Sequence, residues 1–103
     1  VLGDRFGRSA SARLMTLAAD VAAGHGVPVA QNHPYAGDHI IERHGRPMLG
    51  MHALQLEVDR SLYLDAALAE PGAGLADAQA LITQIVEALA AELPRLDLPV
   101  AAE

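Results

Sequence analysis

Met51-His-Ala-Leu-Gln-Leu-Glu57-Val-Asp-Arg60-Ser-Leu-Tyr63 alternates as a β-strand does and ends in a cluster of polar residues. Leu54, Leu56 and Val58 fall on one face, and Gln55, Glu57 and Asp59 on the other. The acids gather at the carboxyl end, and Arg60 and Tyr63 follow just beyond it. Ligands of open α/β sheets sit beyond the carboxyl ends of the strands, so a carboxylate there is placed to act as a base. The question of a catalytic site therefore starts at Glu57. His52 lies an odd number of residues from Glu57, and an unbroken strand turns the two to opposite faces. It reads as a buried, hydrogen-bonded strand histidine.

Working outward, Arg46-Pro-Met-Leu-Gly50 leads into this strand, and Asp38 caps a short helix over His39–His44 that Gly45 closes. Upstream, Asn32-His-Pro-Tyr35-Ala-Gly37 is a loop, and Val27-Pro-Val-Ala-Gln31 a short strand whose Pro28 removes one ladder donor. A helix starting near Ser9 or Ser11 carries Leu14, Leu17, Ala18 and Val21 at helical spacing and ends at Gly24 and Gly26. Downstream, Asp65–Glu70 makes one helical turn before the break Pro71-Gly-Ala-Gly74. A long helix over Leu75–Leu93 then turns Ala78, Leu81, Ile82, Ile85, Val86, Leu89 and Leu93 inward, and Pro94 stops it. Strands alternating with helices predict an α/β fold with a parallel sheet flanked by helices. Only part of such a sheet is written here, and its open edges call for more strands. Val1-Leu2-Gly3-Asp4 reads as the end of a strand entering a turn, with no Met and no leader, so the chain is expected to be a fragment that begins inside a fold.

The 103 residues allow at most one small domain. Seven basic residues against thirteen acidic give a net charge of -6, which excludes the basic stripe of a nucleic-acid surface. The absence of cysteine excludes disulfides and thiolate chemistry and fits a cytoplasmic protein. No apolar run approaches the ~20 residues needed to span a bilayer.

Three motifs, in order, resemble the N-formylglutamate amidohydrolase family: Gly3-Asp-Arg5-Phe-Gly7, Asn32-His-Pro-Tyr35-Ala-Gly37, and His52 through Asp65. The likeness runs from residue 1 to about residue 93, leaving 94–103 as a tail. It implies a carboxypeptidase- or aspartoacylase-like fold with a parallel-rich sheet, of which this chain is the carboxyl-terminal half and the amino-terminal half is missing. It further implies hydrolysis of N-formyl-L-glutamate to formate and L-glutamate, a step of histidine breakdown. The zinc ion of that chemistry has its ligands in the missing half, so no metal ligand is assigned here. In the family's chemistry a Glu at the position of Glu57 takes a proton from zinc-bound water, whose pKa the metal lowers towards ~7, and passes it to the leaving amine. The family usually reads Gly-Gly where this chain has Gly37-Asp38; Asp38 either alters the acyl-amino-acid preference or simply caps the next helix, the reading favoured here.

Arg5 and Arg60 are the candidates to hold a dicarboxylate through bidentate guanidinium contacts; Arg43 is read as solvated. Asn32 and Tyr35 are candidates to donate to a substrate carbonyl or carboxylate, or else to brace their loop. For Glu57 the bland alternative is a solvated strand-end acid or an ion pair with Arg60, and for Arg60 it is a structural pair with Asp59 or Asp65. His39-Ile-Ile-Glu42 has the His-x-x-Glu spacing of zinc ligands, with His44 close by, but lacks a third ligand at the right distance. His25 and His33 read as turn residues. The expected partners are a small N-acyl amino acid and the missing half. The competing readings are an amidohydrolase for another N-acyl amino acid and a non-catalytic α/β module that binds a partner along its exposed sheet edge.

Overall fold

A computed structural model describes residues 1–96. Its order is β1 (Leu2–Gly3), α1 (Ala12–Gly24), α2 (His39–His44), a 3-10 turn over Pro47–Leu49, β2 (Gln55–Leu56), a second 3-10 turn over Arg60–Leu62, and α3 (Leu75–Leu96). The central ribbon is the amino-terminal segment. β1 pairs with β2 in antiparallel register, Leu2 opposite Leu56 and Gly3 opposite Gln55. On its other side Leu2 makes a lone parallel bridge to Gln31: its N–H donates to the Ala30 carbonyl at 2.9 Å, and its carbonyl accepts from the Asn32 N–H at 2.8 Å.

The parallel-rich sheet expected from the sequence is thus replaced by a two-stranded antiparallel one. Alternation of strand-like and helical segments carries no information about direction, and residues 46–51 form a local turn before β2. There Arg46 and Met51 bridge antiparallel across the turn Pro47–Leu49, with Gly50 at φ 76°. The predicted strand 51–59 shrinks to Gln55–Leu56, and 27–31 contributes only its bridge, because β1 offers two residues to pair with. β1 is cut short by a left-handed turn: Arg5, Phe6 and Gly7 have φ of 54°, 56° and 86°. Before that turn, Gly3 is required by close approach, since a Cβ there would stand 2.6 Å from the Ala36 carbonyl carbon and oxygen.

α1 starts and stops as its sequence dictates. The Ser11 side chain accepts from the Arg13 N–H, and the Ser11 N–H donates to His52 Nδ1 at 2.9 Å. At the other end Gly26 (φ 73°) donates to the Ala23 carbonyl and Val27 to that of Ala22, a Schellman closure. His52 is hydrogen-bonded and half-buried, but it braces a helix start rather than lying in a strand. His25 closes α1 and meets Gln84 of α3 at 2.8 Å.

α1 packs against both β1 and α3. The core joins Leu2 to Met15, Ala18 and Ala22 of α1 and to Leu81 and Ile85 of α3. Val27, Val29, Leu54 and Leu89 close around it. Leu17 and Val21, expected in the α1 stripe, are only half-buried, while Met15 and Ala22 are buried. On α3 the inward row is Ala78, Leu81, Ile85 and Leu89, whereas Ile82, Val86 and Leu93 are 40 %, 59 % and 40 % exposed. A single helical neighbour covers one stripe of the cylinder, and these three lie outside it. Glu92 pairs with Arg13 of α1 and lies 3.8 Å from Arg95. Pro94 does not stop α3, which continues to Leu96; the missing N–H removes one bond from the final turn. Most of the expected tail, 97–103, lies outside the described residues.

Asp65–Glu70 is a turn rather than a helix, held by Asp65 Oδ1 accepting from the Ala69 N–H at 3.0 Å. Asp59 likewise caps the turn Arg60–Leu62 through the Ser61 N–H at 2.9 Å. Hydrogen bonds from Ser61 hold the Asp59 carboxyl below the usual aspartate range, and the Ala69 N–H does the same for Asp65. A carboxylate depressed in the folded state stabilises it above the unfolded value of about 3.9, and that contribution vanishes as pH falls through the folded value. Asp59→Ala and Asp65→Ala are therefore expected to lower the melting temperature at neutral pH and to converge with wild type in acid. An offset that persists undiminished after both carboxylates are protonated in the folded state would rule out this origin.

Candidate active site

Below the ribbon lies an open groove of about 680 Å³. Its floor is apolar, built from Leu2, Val29, Leu56, Leu81 and Ile85, and Tyr35, Glu57 and Asp59 are among its polar lining. β2 delivers Glu57: Gly3 opposite Gln55 fixes the register, and the Glu57 N–H extends the ladder by donating to the Val1 carbonyl at 2.8 Å. The Glu57 side chain is exposed, and its Oε1 accepts from Gln55 Nε2 at 3.0 Å. No ion pair to Glu57 occurs among the described residues, so the ion pair with Arg60 is absent there. The Glu57 carboxylate is solvent-accessible, and Glu57 is one of the groove's lining residues.

Tyr35 reaches the same groove from the loop after the Gln31 bridge and is 55 % exposed. The two arginines are placed differently. Arg5 lies in the left-handed turn beside α2, with Nη2 4.0 Å from Glu42 Oε2, and is absent from the groove lining. Arg60 opens the 3-10 turn that follows the groove's Asp59, is exposed, and has no ion pair among the described residues. The structure therefore brings Glu57 and Tyr35 together and leaves Arg5 and Arg60 outside the lining.

Asn32 works within the loop. Its Oδ1 accepts from the N–H of Asp4 at 3.0 Å and of Phe6 at 3.3 Å, while its Nδ2 donates to Asp4 Oδ1 at 3.0 Å. Asp4 is buried and accepts from the Gly7 N–H as well, so these two side chains hold the strained backbone of Arg5 and Phe6. Asp4 was missed in the sequence; its place between Gly3 and a turn was the signal. Asn32→Ala leaves the Asp4 and Phe6 N–H groups without their acceptor and removes one of the two donors to the Asp4 carboxylate, an expected loss of about 1–3 kcal/mol. Urea unfolding measures it, and an unchanged midpoint would show that the turn does not depend on this amide.

Asp38 caps α2, its carboxylate accepting from the His39 N–H at 2.7 Å. His39, Glu42 and His44 are exposed, and among the described residues no three His, Cys, Asp or Glu side chains gather as a metal site. His33 packs edge-on against Phe6 with ring centroids 5.8 Å apart. Gln55, which the sequence placed on the face of Glu57 without a role, is the side chain in contact with its carboxylate.

The profile of the N-formylglutamate amidohydrolase family matches residues 1–64, a span that holds Tyr35 and Glu57. The crystal structure of N-formylglutamate amidohydrolase from Ralstonia eutropha JMP134 superposes with a TM-score of 0.83 at 33% sequence identity, covering 91% of this chain and 34% of that one. The chain spans about a third of that protein's length. No curated protein matches it.

Proposed function

Since the chain belongs to the N-formylglutamate amidohydrolase family, we propose that it supplies the proton-transfer side of an amide hydrolysis whose substrate is N-formyl-L-glutamate. The observation that carries this reading is the joint presence of Glu57 and Tyr35 in one groove, within the residues that match the family. Water adds to the formyl carbon, and Glu57 accepts a proton from that water. As the C–N bond breaks, the same carboxylic acid returns the proton to the departing amine, giving formate and L-glutamate. The Tyr35 phenol donates to the formyl oxygen or to a substrate carboxylate. Arg60 meets a carboxylate from beside the groove, and Arg5 does so by exchanging its loose contact with Glu42. Asn32 holds the turn that carries Arg5.

The described residues do not fit a metal, since no ligand set gathers among them, and none of these steps runs through one. Zinc, on this reading, is held by residues outside this chain, in the remainder of a longer enzyme. The same reading places the reaction in histidine breakdown and in the cytoplasm; among the described residues no helix is long and apolar enough to cross a membrane.

Formate release from N-formyl-L-glutamate by the full-length protein, with and without zinc, tests the proposal. Release of another acid from a different N-acyl amino acid, with none from the formyl compound, would correct the substrate. No hydrolysis of either kind would leave a binding module.

A further inference from the structure

We propose that Gln55 is the positioning residue of Glu57, a role that rests on the reading of Glu57 as the base. Gln55 is clamped by its backbone register opposite Gly3, and its side chain bridges two groups. Its Oε1 accepts from the Asp38 N–H at 3.2 Å, and its Nε2 donates to Glu57 Oε1 at 3.0 Å. A backbone N–H only donates, so the amide oxygen of Gln55 must face Asp38. The NH2 group must then face the carboxylate. The orientation of Gln55 is set by the chain itself.

This amide is the one side chain hydrogen-bonded to the Glu57 carboxylate among the described residues, and no cation pairs with it there. An exposed glutamate has many rotamers; a donor on one oxygen selects among them and leaves Oε2 without a hydrogen bond to any described residue. The base is thereby tied to the start of α2, since Asp38 is the residue that caps it. Any non-proline residue at 38 supplies the N–H, so the device does not depend on the Asp38 side chain.

Gln55→Glu keeps the acceptor for the Asp38 N–H and loses the donor to Glu57; Gln55→Leu loses both. In the full-length protein each is expected to lower kcat by about 10- to 100-fold with KM changed less than about threefold, because a misplaced base slows chemistry more than binding. A second readout uses residues 1–103 directly. In 1H–15N spectra, Glu57→Gln is expected to shift the Gln55 side-chain amide protons more than any backbone amide outside residues 54–58. Wild-type kcat in both Gln55 variants alongside an inactive Glu57→Gln overturns the positioning role and spares the base, as does an unmoved Gln55 resonance. An active Glu57→Gln overturns the reading of Glu57 itself.

Discussion

Glu57→Gln in the full-length protein is expected to lower kcat for N-formyl-L-glutamate by about 10²- to 10⁴-fold, the range that a positioned general base contributes. The substitution keeps the size of the side chain and removes its ability to accept a proton. It also leaves the local fold in place, because Glu57 is held by its backbone bond to the Val1 carbonyl and not by its carboxylate. The only side-chain hydrogen bond it alters among the described residues is the one from Gln55, and a glutamine oxygen still accepts there. An equal loss in kcat and kcat/KM, with an unchanged melting temperature, is the expected pattern for a group that acts in the transition state. A kcat within about threefold of wild type would remove Glu57 from the chemistry.

The place of Glu57 was legible because period-two alternation fixes which residues share a face. Gln55 and Glu57 do share one, as their hydrogen bond shows. Caps were legible for the same local reason: Ser11, Asp38 and Gly26 act where the sequence put them. What the pattern did not encode was partnership. Nothing in residues 51–59 announces that their neighbour is a two-residue ribbon running the other way, and nothing in His52 announces that the N–H it accepts from belongs to the start of α1. Asn32 shows the limit at the site. Its amide suits a substrate as well as it suits Asp4 and Phe6, and only the left-handed turn at Arg5 and Phe6 explains why the backbone claims it. Arg5 and Arg60 show the same limit, since charge type and sequence proximity to Glu57 do not tell whether a side chain belongs to the groove lining, where neither is found.

Stability should depend most steeply on Leu81. It is 4 % exposed and meets Leu2 of the central ribbon together with Met15, Ala18 and Ala22 of α1. Leu81→Ala is expected to cost about 2–5 kcal/mol, from lost transfer energy and the cavity left behind. Against the 5–15 kcal/mol that typically holds a domain together, that is a large share. The comparison that isolates the cause is Ile82→Ala, one residue along α3 but 40 % exposed and outside the buried row. Removing a partly hydrated side chain leaves no closed cavity, so its cost should stay within about 1 kcal/mol. Urea midpoints of the two variants read the difference directly, and equal losses would mean that α3 is rotated about its axis from the packing described. The same residue also forms groove floor, beside Ile85 and Leu56. Losing Leu81 should therefore loosen the platform on which β2 holds Glu57, and in the full-length enzyme kcat should fall at temperatures well below unfolding, which Ile82→Ala should not reproduce.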